Sequence, residues 1–379
     1  MDALTTPSNW QRVRLGDICE FGNGGAYETL IVENGNFKLI SLNSIDIDGN
    51  LKNTMKRVNF YDNSLKQDDI VMVLSDVAHG DFLGLCAVIP NNDYVLNQRM
   101  GRLRKKNDCI NILFLRLYIN ANQKYFKMQG QGSSQLNLSK KAIEDFEILL
   151  PPLNEQIAIA NILSDVDRYL YALDALILKK EGVKKALSFE LLSQRKRLKG
   201  FNQNWKKVRL GDICEITTGS LDANEMVHYG KYRFYTCAKE YYFIDKYAFD
   251  TEAILISGNG AYVGYVHYYK GKFNAYQRTY VLDNFSEHII FVKYFLTMFL
   301  QSHIQTNRNE GNTPYIVMGT LKNFEILLPP LNEQIAIANI LSDVDSEIIS
   351  LKNKKRQFEN IKKALNHDLM SAKIRVLNK

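Results

Sequence analysis

Phe146–Asp167 reads FEILLPPLNEQIAIANILSDVD, and Phe324–Asp345 reads the same 22 residues without a change. A second pair lies nearer the start of each half. Trp10 is followed by VRLGDICE at Val13–Glu20, and Trp205 by VRLGDICE at Val208–Glu215. The segments between these pairs, 25–140 and 220–310, look nothing alike. An internal repeat this long dictates the architecture: one scaffold is used twice and carries two different inserted segments. The Trp pair is displaced by 205 − 10 = 195 positions and the Phe pair by 324 − 146 = 178, so the first insert is longer by 195 − 178 = 17 residues. The 178 displacement runs on past the identity. It lays Val183–Leu187 (VKKAL) over Ile361–Leu365 (IKKAL), and Leu191-Leu192-Ser193 over Leu369-Met370-Ser371.

Within the scaffold, the apolar runs Phe146–Leu150 and Phe324–Leu328 read as strands, stopped by Pro151-Pro152 and Pro329-Pro330. Asn154 and Asn332 are placed to cap the helices that follow, with Glu155 and Glu333 in a first turn where the dipole favours an acid. Apolar residues then step by four and three: Ile159, Leu163, Val166, Leu170, Leu173 and Ile177 in one copy, and Ile337, Leu341, Val344, Ile348, Leu351, Phe358 and Leu365 in the other. That is the period of a coiled-coil seam. Helices of about 40 residues would reach about 60 Å. They cannot bury such a stripe inside one small domain, so the simplest partner for each is the other, packed antiparallel. Two separate helices, each lying on its own domain, is the alternative.

The chain has 379 residues, a net charge of +7 and a pI near 8.9. It has room for two or three cores, and its apolar and charged fractions are those of a globular protein. No apolar run is long enough to span a bilayer, and the first residues lack the pattern of a signal peptide, so a cytoplasmic protein is expected. The five Cys show no CxxC spacing and the six His no ligand spacing, which supports neither a disulfide frame nor a metal site. Basic residues cluster at Arg195–Lys199, at Lys373, Arg375 and Lys379, and at Arg102, Arg104, Lys105 and Lys106. Any one such run also fits a solvated face.

The inserts share a coarse plan. Each has a β-rich run (Asp69–Leu74, Ala253–Ile256) leading into a small-residue turn (Ser75–Gly80, Ser257–Gly260). Asn97-Gln98-Arg99 and Tyr276-Gln277-Arg278 each precede a further strand, and a polar loop (Gly130–Gln135, Asn307–Pro314) closes each insert. Such polar side chains suit hydrogen bonds to base edges and suit ordinary surface turns equally. The second insert is rich in tyrosine (Tyr232, Tyr235, Tyr241, Tyr242, Tyr262, Tyr265, Tyr268, Tyr269), which fits a binding surface or a core with hydroxyls at its rim. No phosphate-binding GxxxxGK[ST] loop occurs. Ser257-Gly258-Asn259-Gly260 is only a faint likeness to an S-adenosylmethionine turn. Neither Pro-Pro pair carries the flanking residues of an adenine methyltransferase, and no Pro-Asp nuclease signature is present.

The doubled LLPPLNEQIAIANIL with its long heptad helix, the doubled WxxVRLGDICE and the dissimilar segments between them resemble the specificity subunit of type I restriction–modification enzymes over essentially the whole chain. The resemblance implies an α+β fold with two mixed α/β target recognition domains, separated by a pair of long antiparallel coiled-coil helices in a pseudo-two-fold internal repeat. It divides the chain into recognition domains at 1–150 and 200–328 and conserved helical regions at 151–199 and 329–379. It implies a subunit without a catalytic centre that reads double-stranded DNA with a bipartite target. Two modification (methyltransferase) subunits and restriction (motor-nuclease) subunits would be its partners, and S-adenosylmethionine, ATP and Mg would belong to those partners rather than to this chain. The expected DNA-binding residues are Gln98, Arg99, Arg102, Arg104, Ser133, Ser134 and Gln135 in the first domain, with Ser257, Asn259, Gln277, Arg278 and Arg308 in the second. Because Leu153–Ile162 and Leu331–Ile340 are identical, Leu153, Ile157, Leu331 and Ile335 are expected to dock the methyltransferases. Two competing classes are an enzyme carrying its own recognition domains and a coiled-coil protein-binding scaffold without DNA readout.

Overall fold

The computed structural model describes residues 7–77, 80–307 and 314–376. The chain forms two compact units, one of residues 1–173 with 354–379, the other of residues 174–353. In the first unit the elements include β1 (Gln11–Arg14), β2 (Cys19–Asn23), β3 (Phe37–Ile40), β4 (Ile70–Val73), β5 (Ser75–Val77), β6 (Cys86–Val88), β7 (Tyr94–Leu96), β8 (Met100–Lys105), α1 (Ile112–Ala121), β9 (Gln135–Asn137) and β10 (Glu147–Leu150). Helix α2 (Leu153–Leu192) begins in this unit and ends in the other. The second unit holds β11 (Lys206–Arg209), β12 (Glu215–Thr218), β13 (Tyr232–Tyr235), β14 (Phe249–Ser257), β15 (Val266–Ala275), β16 (Thr279–Asp283), α3 (Ile289–Asn307), β17 (Glu325–Leu328) and the start of α4 (Leu331–Met370).

The repeated segments fold the same way twice. VRLGDICE supplies β1 and β11, which pair antiparallel with β10 and β17 in one register: Val13 opposite Ile148, and Val208 opposite Ile326. The glycine of this motif sits in close packing. A Cβ on Gly16 would lie 2.8 Å from the Cβ of Glu144, closer than real Cβ contacts, and one on Gly211 would lie 3.1 Å from the Cβ of Lys322, a tight contact.

The inserts also share a topology that their sequences hide. In the first unit the sheet order is β2-β8-β4-β6, all antiparallel, with β3 parallel to β7 alongside. In the second, β12-β16-β14-β15 repeats that order, and the single long strand β15 does the work of β6 and β7. It is antiparallel to β14 over most of its length and parallel to β13 at Phe273–Ala275. The central strand is apolar at Ile70–Val73 and at Ala253–Ile256 because there each of its faces meets a core. Ile70 and Met72 point into one cluster and Val71 and Val73 into another; Ile254 and Ile256, then Ala253 and Leu255, do the same in the second unit.

Both long helices start one residue before the expected asparagine caps. The carbonyl of Pro152 accepts from Gln156 N–H (3.0 Å) and that of Pro330 from Gln334 N–H (3.1 Å), so the second proline occupies the cap position. Both helices also stop earlier than a basic helical tail would require. Gln194 and Ala372, again 372 − 194 = 178 apart, take positive φ (61° and 59°) and turn the chain out of the helix. Within each unit the two helices run antiparallel. Lys362 pairs with Asp167 at 2.5 Å and Tyr169 packs on Phe358 in the first unit, while Lys184 pairs with Asp345 at 2.5 Å and Lys180 with Glu347 in the second. The apolar stripe is not a seam from end to end. Ile159, Leu163, Leu369 and Met370 enter the core of the first domain with Trp10, Phe114 and Phe146, and Leu191, Leu192, Ile337 and Leu341 enter that of the second.

Candidate nucleic-acid interface

Each inserted domain is fixed to the helices by the same buried clamp. The Glu155 carboxylate accepts from Trp10 Nε1 (3.1 Å) and from Arg375 Nε and Nη2 (2.6 and 2.8 Å). The Glu333 carboxylate accepts from Trp205 Nε1 (3.2 Å) and from Arg197 Nε and Nη2 (both 2.8 Å). In each case the glutamate opens one long helix and the arginine follows the end of the other, carried there by the turn at Gln194 or Ala372. The neighbouring glutamine pins the insert. Gln156 accepts from the N–H of Asn111 (2.9 Å), the residue capping α1, and Gln334 accepts from the N–H of His288 (3.0 Å), just before α3. A bidentate carboxylate–guanidinium pair sealed by an indole is a rigid joint. It explains why Glu, Gln and the distant Arg recur at the 178 displacement and why the Trp recurs with them, although at 195.

On this foundation the two domains carry one backbone frame. Met100 N–H bonds the carbonyl of Asn97 (3.1 Å) and Thr279 N–H that of Tyr276 (2.8 Å), which makes β-turns with Gln98-Arg99 and Gln277-Arg278 at their centres. The Arg99 carbonyl accepts from Leu74 N–H (3.1 Å), the Arg278 carbonyl from Gly258 N–H (2.9 Å). One residue further, Ser75 pairs with Asn137, and Asn259 bridges to Tyr315. Nearby, Gly84 and Gly264 take positive φ (78° and 80°), a conformation open to glycine at little cost.

Gln98, Arg99, Gln277 and Arg278 are exposed on these turns, Ser133 and Ser134 are exposed, and Gln135 and Asn259 are half-buried on the adjoining strand and bridge. Gln98 donates to Glu28 Oε2 (3.2 Å), and a hydrogen bond from Asn97 is the main cause holding the Glu28 carboxyl below its usual range.

Three expected contact residues lie elsewhere. Arg104 is committed to Asp69, a carboxylate with only 3 % of its side chain exposed, through bonds of 2.8 and 2.6 Å. Arg102 is packed beneath Glu20 (2.7 Å) and donates to the carbonyl of Ser64. Lying two apart on β8, both point to the same face and serve the domain interior. Ser257 is completely buried and its hydroxyl meets no partner among the described residues, since β14 turns that side chain inward. Arg308 lies outside the described residues.

The docking candidates fare differently. Leu153 and Ile157 are 39 % and 40 % exposed, and Leu331 and Ile335 are 53 % and 39 % exposed. These apolar pairs at i, i+4 are left uncovered at the same place in both copies. The tyrosines divide as well: Tyr235 is buried, Tyr241, Tyr242, Tyr262 and Tyr265 are exposed, and Tyr268 donates to Glu252 (2.6 Å), with burial foremost in raising its pKa to about 12. Sequence reasoning missed the clamp and the Asn137 and Tyr315 positions. The clamp's signal was present, since Arg197 and Arg375 keep the 178 displacement. Asn137 and Tyr315 carried no signal, because neither the residue nor the local sequence repeats.

Among the described residues there is no group of three or more His, Cys, Asp and Glu that could hold a metal ion, and no helix long and apolar enough to cross a membrane. The chain matches the family described as the type I restriction modification DNA specificity domain twice, over residues 7–180 and 202–360. It is 39 % identical over 163 residues to the type I restriction enzyme EcoDI specificity subunit of Escherichia coli, a match covering 42 % of this chain and 35 % of that protein. It is 25 % identical to the MjaVIII specificity subunit of Methanocaldococcus jannaschii over 100 % of this chain and 96 % of that one. In fold it is similar to the crystal structure of the S subunit of a type I restriction–modification system from M. genitalium, with a TM-score of 0.67 at 16 % identity over 97 % of both chains. It is also similar to the HsdS subunit of Thermoanaerobacter tengcongensis, with a TM-score of 0.51 at 17 % identity over 98 % of this chain and 99 % of that one.

Proposed function

The chain belongs to the type I restriction–modification DNA specificity family, with two copies of its domain, and on that premise we propose that each domain reads one half of a split double-stranded target. The observation that carries this reading is the pairing of one frame with two sets of side chains. The clamps, the strand order and the turn hydrogen bonds are duplicated, while the residues mounted beside the turns differ: exposed Asn137, which accepts from the buried Ser75 hydroxyl, in one domain, and half-buried Asn259 with exposed Tyr315 in the other. A duplicated mount with unlike faces suits two different half-sites, because base edges are told apart by side-chain donors, acceptors and apolar groups. The proposed faces comprise Gln98, Arg99, Ser133, Ser134 and Gln135, and Asn259, Gln277 and Arg278.

The subunit is proposed to be non-catalytic and to act in the cytoplasm. The exposed pairs Leu153/Ile157 and Leu331/Ile335 would each dock one methyltransferase subunit, with motor-nuclease subunits completing the complex. S-adenosylmethionine, ATP and Mg would then serve those partners. Coexpression with the methyltransferase, followed by methylome sequencing, tests the reading. A split methylated motif is expected, and exchange of residues 25–140 for another family member's segment should change one half of it only. Methylation without a defined motif, or a motif unaffected by the exchange, would overturn it, and DNA binding at no point in the assembly would favour a purely protein-binding scaffold.

A further inference from the structure

The two inserted domains differ almost everywhere on their surfaces, yet both place Gln-Arg at the centre of the same turn. The other described arginines of the inserts have partners within the protein. Arg57 donates to the carbonyl of Gly35, Arg102 pairs with Glu20, Arg104 with Asp69 and Arg116 with Asn50, and Arg233 lies over the ring faces of Tyr241 and Tyr269 at 4.3 and 4.4 Å. Arg99 and Arg278 are exposed and, among the described residues, their guanidinium groups hold no hydrogen bond or ion pair. Their carbonyls are fixed by Leu74 and Gly258 N–H, and close packing around Gly24 and Gly219 supports the turn from the other side: a Cβ there would fall 2.2 Å from Asn97 O and 1.9 Å from Ala275 O. Each turn is thus held rigidly and presents an exposed arginine; near Arg99 the Glu28 carboxylate, already bonded by Asn97 and Gln98, is held below its usual range chiefly by the Asn97 bond and in part by the arginine's charge.

We propose that the Gln98-Arg99 and Gln277-Arg278 turns grip the sugar–phosphate backbone and register each domain on the duplex, leaving discrimination between bases to the unlike residues beside them. A group that is the same in two domains reading different half-sites cannot account for their difference. The anion present at every half-site, whatever its bases, is phosphate, and a guanidinium presents a planar fork of donors that matches it. This inference rests on the proposed DNA reading.

The test uses the complete complex with its methyltransferase subunits. Arg99→Ala and Arg278→Ala should each weaken binding about tenfold, as expected for loss of a hydrogen bond to a charged group. The loss should be equal for target and non-target duplexes, and the slope of log K against log[salt] should become shallower by about 0.9 per arginine. Arg99→Lys should restore the slope, and the methylated motif should stay unchanged in all three variants. A motif that becomes degenerate at one base position would overturn the proposal in favour of a base contact. Unchanged DNA affinity, or loss of a methyltransferase copy by native mass spectrometry, would overturn it in favour of a protein contact. Failure of the DNA reading itself is separable, since the unsubstituted complex would then show no preferred duplex at all.

Discussion

Replacing Glu333 by alanine tests whether the repeated Trp–Glu–Arg clamp holds the second domain on its helices. The residue is fully buried, and its carboxylate satisfies three donors, two from Arg197 and one from Trp205. Removing one partner of a buried pair strands the other and costs ~3–5 kcal/mol. Arg197 keeps 27 % of its side chain exposed and retains a bond to the Gln203 carbonyl. It can therefore partly resolvate, which places the expected cost near the low end, about 3 kcal/mol. For a unit of this size that corresponds to a melting temperature lower by about 6–12 °C. The chain has two tryptophans, so in a Trp10→Phe background the fluorescence of Trp205 reports on the second unit alone, and urea titrations give the difference directly. Arg197→Met combined with Glu333→Ala should cost about 1.5–3 kcal/mol less than the sum of the single changes, because the stranded charge is gone. A cost below about 1 kcal/mol for Glu333→Ala, or additive single and double variants, would refute the clamp.

Three further outcomes are expected. Leu153→Asp with Ile157→Asp should leave a complex carrying a single methyltransferase, and a native mass spectrum with two retained copies would reject that docking site. Arg104→Met strands the buried Asp69 carboxylate and should destabilise the first unit by about 3 kcal/mol, while the methylated motif stays the same; a changed motif would return Arg104 to the DNA face. In the second unit, burial lowers the pKa of His267, whose Nε2–H faces the Ala238 carbonyl at 2.8 Å, and that of His288 as well. The unfolded chain takes up protons near pH ~6.5 and the folded one only lower, so stability present above that pH is lost as the pH falls through it. His267→Gln should flatten this acid limb in urea midpoints measured from pH 7.5 to 5, and an unaltered limb would exclude His267 as its source.

How far the sequence could be read depended on whether a feature repeats. The 22 identical residues announce a strand, a proline stop and a helix, and all three appear twice with one register. The antiparallel helix pairing within each unit followed from the same stripe. The common topology of the inserts was visible only as a coarse plan, in the β-rich run and the Gln-Arg turn; the strand order was not, because β15 is one strand where β6 and β7 are two. Charge runs misled in an instructive way. Arg102 and Arg104 stand in the most basic stretch of the first insert, yet strand alternation turns both toward Ser64, Glu20 and Asp69. Arg197 and Arg375 stand in basic tails that fit a solvated face, and each closes a buried clamp after the helix has been stopped by a residue with positive φ.

What the sequence lacked was the partner of each charge, which is a three-dimensional quantity. Once the internal partners are assigned, the described arginines of the inserts sort themselves: those bonded to a carboxylate, a carbonyl or an amide, or lying over an aromatic face, build the domain, and the two whose guanidinium groups hold no hydrogen bond or ion pair sit at one turn in both. An exposed arginine that makes no hydrogen bond or ion pair gives the fold little pairing energy, and in Arg99 and Arg278 that situation occurs twice on one frame. A shared structural duty would have given each a bonded partner, and a duty in telling half-sites apart would have made the two differ. The remaining duty is to hold what both half-sites have in common.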